Sequence, residues 1–339
     1  MILSAVLTWA FAVPQRTATE LPRQGTAVRA LNVGGYLPAW RFPQMTSSRM
    51  EGVTDVIVFS VQPTKKGEVD ILDLSSASLA ALRKIKSGSR FRTWLTLGGW
   101  SRSEGFSATA ASPELRKRLI EEVTFFMERE GFDGLDFDWE SPKTAKELSD
   151  YALLIEEAKT HLGPRRKFVS ASLRSWVSIP KSIWKSLDRI HLLSYDHDGR
   201  HSTLEDAQKD VESILKAGAP AWKIQLGVPF YGRSLTDWRQ AMGFGEINRK
   251  FSPKPYADEA GGFWFNGPET IRSKVDLARD MKLGGIVVWE MGQDADGDTS
   301  LMKHLVALAR PSVTAQPRPQ PKPPASNGKG EKTNSTKPS

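Results

Sequence analysis

The sequence of 339 residues has the composition of a globular protein, with 39% hydrophobic and 25% charged residues. Its length suits one large α/β domain or two ordinary ones, and the absence of cysteine excludes disulfides and thiolate metal sites. Of the net charge of +8, the segment after residue 310 carries +4 and the first 30 residues carry +2, so the middle of the chain is nearly neutral. This distribution argues against nucleic-acid binding through a basic face.

The two ends of the chain differ in composition from the middle. Residues 1–13, within "MILSAVLTWAFAVP", form an apolar run with a small-residue Ala-Phe-Ala pattern. We predict a signal peptide there, although it has no basic start, and hence a secreted or periplasmic protein. The run is too short for stable membrane insertion, and no later segment qualifies. Residues 14–30 are predicted to be a linker, and the Pro- and Lys-rich tail, 311–339, to be disordered.

Eight short apolar runs predict β-strands, in chain order Asn32–Leu37, Asp55–Val61, Phe91–Leu97, Gly134–Trp139, Phe168–Leu173, Ile190–Tyr195, Lys223–Pro229 and Gly285–Trp289. Amphipathic stretches with helical spacing lie between them, including 112–130, 144–160, 203–218 and 268–282. No G-x-G-x-x-G follows the first strand, which argues against a dinucleotide-binding fold. Eight strand–crossover units instead predict an α/β protein, a single-domain (β/α)₈ TIM barrel over 31–310. A short insertion is expected between its seventh and eighth strands.

The fourth predicted strand carries an unusual row of acids, "GFDGLDFDWE". Asp136, Asp138 and Glu140 alternate with apolar residues, so all three should share one face, with neighbours roughly 7 Å apart. In a barrel that face points inward, which places Asp136 deepest and Glu140 at the rim. Neighbouring buried carboxylates resist ionisation together. We therefore expect a proton shared between Asp136 and Asp138, and a raised pKa on Glu140 that suits a general acid.

Two other interpretations of these acids stay open. A solvated edge strand could alternate acids with apolar residues, although the flanking predicted strands argue against it. Oxygen-rich clusters also suit Mg²⁺ or Ca²⁺, but the spacing does not match a calcium loop and no pair of histidines stands nearby.

Several segments together resemble one enzyme family. "DGLDFDWE" is similar to the D-G-x-D-x-D-x-E signature of family 18 glycoside hydrolases, the chitinase family. In the same order along the chain, five further segments resemble the family's strands one, three, six, seven and eight: "VGGYLPAW", "LTLGGWS", "HLLSYDHDG", "LGVPFYGRS" and "GGIVVWEMG". The resemblance covers essentially residues 31–310.

The resemblance implies a substrate-assisted, retaining hydrolysis of N-acetylglucosamine-containing polysaccharides or glycans. Glu140 would protonate the glycosidic oxygen, while the substrate's own acetamido oxygen attacks the anomeric carbon. Asp138 would accept the acetamido N–H, with Asp136 holding or exchanging the proton beneath it. Tyr195 would donate a hydrogen bond to the acetamido oxygen. The resemblance implies no metal and no organic cofactor, and a monomer is expected.

The resemblance also suggests residues that bind substrate. Trp289 would form the floor under the sugar, and Asp196 and Arg233 would contact sugar hydroxyls, although each also has an ordinary packing or ion-pair interpretation. The remaining candidates for substrate binding or outer subsites are Tyr36, Asp133, Gly99, Trp40, Trp100, Trp176 and Trp264. For Gly98 and Gly99, close backbone approach is the simpler explanation.

Three alternative functions stay open at this stage: an endo-β-N-acetylglucosaminidase, a peptidoglycan hydrolase, and a lectin that binds chitin without cleaving it. The lectin is disfavoured because Glu140 is present. The short insertion predicts a shallow groove, which favours endo-cleavage or smaller glycans.

Overall fold

Thirteen strands are present in the computed structural model, which describes residues 30–71 and 74–311. They are β1 (Asn32–Pro38), β2 (Asp55–Pro63), β3 (Val69–Asp70), β4 (Arg92–Gly98), β5 (Gly134–Asp138), β6 (Phe168–Leu173), β7 (Arg189–Leu192), β8 (Ile224–Pro229), β9 (Tyr231–Ser234), β10 (Ala241–Gly243), β11 (Glu259–Ala260), β12 (Phe263–Trp264) and β13 (Gly285–Trp289). All eight predicted strands are among them.

Eight of these strands run parallel and close into a barrel. The hydrogen-bonded order is β1, β2, β4, β5, β6, β7, β8 and β13, and β13 pairs back with β1. The register sets Thr96 of β4 beside Asp136 of β5, and Asp136 beside Ser170 of β6. The predicted single-domain (β/α)₈ TIM barrel is therefore confirmed. Because β5 has a neighbour on each side, the solvated-edge interpretation of its acids is wrong.

The helices are α1 (Ser76–Lys86), α2 (Phe106–Ala111), α3 (Pro113–Glu130), α4 (Ala145–Leu162), α5 (Ile183–Ser186), α6 (Leu204–Lys216), α7 (Phe244–Phe251), α8 (Pro268–Asp280) and α9 (Leu301–Ala309). The four predicted amphipathic stretches appear as α3, α4, α6 and α8, and their apolar faces pack on the barrel. No helix within the described ranges is long and apolar enough to cross a membrane.

The helices on either side of β5 have well-defined ends. Helix α3 ends at Gly131, whose φ of +72° is a conformation that glycine adopts without strain. At the start of α4, the Thr144 hydroxyl accepts from the Glu147 N–H at 3.1 Å, and the Glu147 carboxylate accepts from the Thr144 N–H at 3.0 Å. These caps fix where α3 ends and where α4 begins, on either side of the strand that carries the acids.

A buried charge cluster lies at the amino-terminal ends of the barrel strands. The Asp55 carboxylate is fully buried and accepts from Arg92 Nε and Trp94 Nε1, both at 2.9 Å. Arg189 adds an ion pair to Asp55 at 2.7 Å. A buried charge needs such partners to offset its desolvation. The cluster fills this end of the barrel, and the functional cleft opens at the other end.

The predicted insertion lies between the seventh and eighth barrel strands, β8 and β13. It contains a four-stranded antiparallel sheet, ordered β10, β9, β12 and β11, together with α7. Arg233, Trp238 and Ala241 of this segment line one wall of the cleft. The insertion therefore forms part of one wall of the cleft. The expectation of a shallow groove did not include this wall.

Two sequence predictions differ from the structure or fall outside it. Strand β7 ends at Leu192, three residues earlier than predicted, because the Ser194 N–H turns back to the Leu192 carbonyl at 2.9 Å. Tyr195 and Asp196 therefore follow the strand, and Asp196 has a φ of +65°. The signal peptide (1–13), nearly all of the linker (14–30) and the predicted disordered tail (311–339, except Pro311) lie outside the described residues.

Candidate active site

A cleft of about 490 Å³ opens at the carboxyl ends of the barrel strands. This is the end at which (β/α)₈ barrels carry their functional groups. Acidic, basic and aromatic side chains meet at its centre: Tyr36, Asp138, Glu140, Arg174, Tyr195, Asp196 and Trp289. The barrel thus brings together residues that lie more than 250 positions apart in the chain.

The three acids of the β5 segment form the predicted column. Asp136 is fully buried, Asp138 is 4% exposed, and the Glu140 side chain is 16% exposed at the rim. The alternating apolar residues of β5 point outward into the core between barrel and helices, where Phe137 contacts Tyr151 with ring centres 6.4 Å apart. The period of two in the sequence therefore sets the direction of all three carboxyl groups.

Asp136 at the bottom of the column is surrounded by hydrogen-bond donors. Its Oδ1 accepts from Ser170 Oγ at 2.6 Å and lies 3.1 Å from His191 Nδ1. Its Oδ2 accepts from the Tyr36 hydroxyl at 2.9 Å and from Ser172 Oγ at 3.0 Å. Burial raises the pKa of Asp136, but His191 and the hydroxyl donors outweigh it and bring the pKa below its usual value. Asp136 is therefore the ionised member of the column.

Asp138 has the opposite environment. It is buried, it lies between two other acids, and its Oδ1 has no hydrogen-bond partner within the described chain. Burial and the charges of Glu140 and Asp136 raise the pKa of Asp138 well above its ordinary value. The proton that the sequence predicts to be shared between Asp136 and Asp138 is thus favoured on Asp138 by its burial, whereas the donors around Asp136 favour the ionised form of that group. The sequence alone does not show these donors.

Glu140 at the rim has a raised pKa, as the sequence predicted. Burial is the main cause, Arg174 opposes it, and Asp196 adds to it. The backbone N–H of Glu140 donates to Ser103 Oγ at 3.1 Å, which fixes the start of the loop beyond β5. The carboxyl group itself faces the cleft. A protonated carboxyl in this position is suited to donate its proton to a bound molecule.

Tyr195 and Asp196 approach the acids from the end of β7. Tyr195 lines the cleft and is 5% exposed. Asp196 Oδ1 accepts from the Tyr231 hydroxyl and from Arg233 Nε, both at 2.6 Å. Burial alone would raise the pKa of Asp196, but His201, Arg233 and Tyr231 outweigh it and hold the pKa well below its usual value. Asp196 is therefore a fixed negative charge beside Glu140.

Aromatic rings form the floor and part of the walls. The Trp289 ring lies on the floor of the cleft. Its centre is 5.3 Å from the ring centre of Tyr36 and 4.8 Å from that of Phe59. Trp100, Trp176 and Trp238 line the cleft and are each at least 60% exposed. Exposed aromatic faces along a cleft can pack against ligands that present an apolar face.

A model of glycosyl hydrolases family 18 matches residues 32–294. The chain belongs to this family. Chitinase 1 of Aphanocladium album is 26% identical, and the match covers 64% of this chain and 65% of that protein. A class V chitinase of Lotus japonicus is 27% identical, and the match covers 87% of this chain and 90% of that protein. A family 18 chitinase structure from Flavobacterium johnsoniae matches with a TM-score of 0.74 at 28% identity, covering 83% of this chain and 94% of that one. The chain thus spans about two thirds of the length of some curated relatives, such as the Aphanocladium album protein.

Within this family 18 barrel, three predicted substrate-binding residues have other surroundings. Asp133 precedes β5 at the opposite end of the barrel, where its carboxylate accepts from the Thr93 N–H at 2.7 Å, so it is too far from the cleft to bind substrate there. The Tyr36 ring reaches the cleft, but its hydroxyl is bonded to Asp136. Gly99 does not line the cleft. Its N–H donates to the Asp138 carbonyl at 2.6 Å, as close backbone approach requires.

Two of the four outer-subsite tryptophans also lie away from the cleft lining. Trp40 is 49% exposed and packs near the Arg102 guanidinium. The ring centre of Trp264 lies 4.6 Å from the guanidinium carbon of Arg200. The other two, Trp100 and Trp176, line the cleft as predicted.

Several functional neighbours were missed by sequence reasoning. Ser170, Ser172 and Arg174 alternate along β6 and its end, in the same period of two that revealed the acids on β5. This alternation of polar residues was the available signal. His191 and Trp238 had no comparable pattern, because their roles depend on which strand or loop lies beside them. No group of three or more His, Cys, Asp or Glu within 30–71 and 74–311 is arranged to hold a metal ion.

Proposed function

We propose that the protein hydrolyses β-1,4-linked N-acetylglucosamine polymers or oligomers by a substrate-assisted, retaining mechanism. The observation that carries the proposal is the arrangement of the column of acids in the cleft. Asp136 lies buried among hydrogen-bond donors that lower its pKa, Asp138 has a raised pKa and one unpartnered oxygen, and Glu140 has a raised pKa at the rim. The chitinases among the relatives support the same substrate class.

In the first step, Glu140 gives its proton to the glycosidic oxygen as the bond from that oxygen to the anomeric carbon breaks. The acetamido oxygen of the same sugar forms a new bond to the anomeric carbon, which gives an oxazolinium ion. The unpartnered Oδ1 of Asp138 is free to accept the acetamido N–H, and Tyr195 is in the cleft to bond the acetamido oxygen. Both contacts hold the internal nucleophile in an attacking geometry.

In the second step, Glu140 acts as the base. It takes a proton from water as the water oxygen attacks the anomeric carbon and the acetamido oxygen departs. Two displacements at the same carbon retain its configuration. Positive charge on the intermediate is offset by Asp136 below and by Asp196 beside it, because the pKa of each is lowered and each is therefore ionised.

The decisive variant is Glu140→Gln, tested on chitooligosaccharides with separation of product anomers. We expect turnover to fall by at least ~10²-fold, because the amide has no proton to give. Glu121→Gln, a change of the same kind on the exposed face of α3, is the control and should leave turnover unchanged. Near-normal activity of the Glu140 variant would remove the residue from this role.

Two substrate tests address the nucleophile and the glycan. Fully deacetylated chitosan should not be cleaved, since it lacks the acetamido oxygen, and the first product from acetylated substrate should be the retained anomer. Efficient chitosan hydrolysis or an inverted first product would contradict the mechanism.

A panel of substrates that includes glycoproteins and muropeptides separates the endo-β-N-acetylglucosaminidase and peptidoglycan hydrolase alternatives. Tight binding without any product would indicate a lectin. Export of the protein, predicted from residues 1–13, agrees with a polymeric substrate outside the cell.

A further inference from the structure

Arg174 follows β6 directly and enters the cleft beside the acids. Its side chain is only 12% exposed, and its Nη1 donates to the Tyr195 carbonyl at 2.5 Å. The guanidinium lies 5.5 Å from the Trp176 ring centre and 5.6 Å from that of Tyr195. A short hydrogen bond and contacts with two aromatic rings therefore hold the Arg174 guanidinium in one position.

The fixed cation lies close to Glu140 without a hydrogen bond of normal length. Arg174 Nη2 is 3.6 Å from Glu140 Oε2 and 3.9 Å from Asp196 Oδ2. These distances exceed those of a hydrogen bond but are still within ion-pair range. Within the described residues, Arg174 supplies the ion pair of Glu140, and the pair is largely shielded from water. Its interaction is therefore screened less than that of a surface pair.

Among the described residues, the other titratable groups around Glu140 supply no positive charge to it. The charge of Asp196, beyond the end of β7, opposes its ionisation, and Asp138 lies below it on β5 with a pKa that is itself raised by the charge of Glu140. The Tyr195 hydroxyl is neutral, because its pKa is raised well above the ordinary value. Arg233 on the far side is bonded to Asp196 and so compensates that carboxylate directly. Arg174 is thus the group that favours the carboxylate form of Glu140.

We propose that Arg174 is a positioning residue that holds the Glu140 carboxyl at the rim and stabilises the carboxylate left when Glu140 has given up its proton. This inference rests on the proposed function, because that function assigns the proton transfer to Glu140. The proton passes from Glu140 to the glycosidic oxygen, and the electron pair of the broken bond stays on that oxygen. The negative charge that then appears on Glu140 lies beside Arg174 until water returns a proton.

The test compares the pH dependence of kcat/KM in four proteins: wild type, Arg174→Gln, Arg174→Lys and Arg83→Met. Glutamine can still bond the Tyr195 carbonyl but has no charge, whereas lysine keeps the charge. Arg83 is exposed on α1 and pairs with Glu130, so its loss changes the net charge equally but far from the cleft. The substrate is a chitooligosaccharide.

The wild-type rate should fall as the pH rises through the pKa of Glu140, because the acid must be protonated. Without the guanidinium that pKa rises, so the descending limb of Arg174→Gln should move to higher pH. Its kcat should fall by about tenfold, since a weaker acid transfers its proton more slowly. Arg174→Lys should keep the limb near that of the wild type, and Arg83→Met should not move it. A rate that falls equally at every pH, with the limb unmoved, would show that Arg174 only supports the loop.

A second measurement does not depend on activity. Carbon-13 NMR of protein labelled at the glutamate carboxyls, with the Glu140 signal assigned from its absence in Glu140→Gln, gives the titration of this group directly. The Glu140 midpoint should lie higher in Arg174→Gln than in wild type and Arg174→Lys. An unchanged midpoint overturns the inference. If wild type cleaves no chitooligosaccharide, the proposed function fails, but this titration still decides whether Arg174 acts on Glu140.

Discussion

Replacing Asp136 by asparagine tests the assignment of the ionised carboxylate at the base of the cleft. Four donors surround this fully buried group, two at each oxygen. Whichever way the amide turns, its NH₂ group faces two of these groups, and the buried carboxylate that accepts from them is lost. Each buried polar group left without its partner costs about 1–3 kcal/mol, so two of them together cost about 3–5 kcal/mol. We expect a loss of this size in the free energy of unfolding at pH 7.

The expected change in melting temperature follows from the size of the folded body, Arg29–Arg310. An unfolding entropy of about 2.1 cal/mol/K per residue over ~280 residues gives ~0.6 kcal/mol/K, so the loss corresponds to about 5–9 °C. The assay is thermal unfolding followed by circular dichroism, with urea titration as the second measurement. Asp276→Asn on α8 is the control, since its side chain is 52% exposed and should change stability by less than about 0.5 kcal/mol.

The pH dependence of this loss is the sharper part of the prediction. The pKa of Asp136 is lower in the folded protein than its unfolded value of about 3.9, so its stabilisation is complete above that value and is lost as the pH falls through the folded pKa. The gap between wild type and Asp136→Asn should therefore be constant near neutrality and should shrink in acid. An ionised Asp136 would be refuted if the difference in the free energy of unfolding between the two proteins widens in acid. It would also be refuted if Asp136→Asn is as stable as wild type at pH 7.

Two further variants test the aromatic floor of the cleft and the packing that supports it. In the Glu140→Gln background, Trp289→Ala should weaken chitooligosaccharide binding at least about fivefold, as expected for the loss of roughly 1 kcal/mol of buried aromatic contact. Calorimetry would measure this, and Trp222→Ala, on an exposed ring outside the cleft, should leave affinity unchanged. Gly99→Ala should lower both stability and activity, because at a φ of +103° its Cβ would lie 2.3 Å from the Phe59 ring that packs against Trp289. Gly88→Ala has a similar positive φ but nothing within 4 Å of the Cβ, so an equal effect of the two changes would show that the contact with Phe59 is unimportant.

The sequence alone determined the fold class and the direction of the three acids on β5 and its end. Both follow from short-range periodicity: strands with intervening amphipathic helices predict the barrel, and a period of two places Asp136, Asp138 and Glu140 on one face. The sequence also predicted that burial increases from Glu140 at the rim to Asp136 at the base, because inward residues of a barrel strand differ only in depth. Strand ends were less certain, as at β7, where a local turn after Leu192 stops the ladder.

Only the tertiary structure decided how the surroundings of Asp136 and Asp138 differ, and with them the directions in which their pKa values shift. Asp136 and Asp138 are the same residue type two positions apart, and their sequence neighbours do not distinguish them. Tyr36, Ser170, Ser172 and His191 come from three other strands and all donate to, or lie against, Asp136 alone. A pKa depends on charges and donors within a few ångströms, whatever their separation in the chain. For the same reason Arg174 became visible beside Glu140 only when β5 and β6 were paired in the barrel.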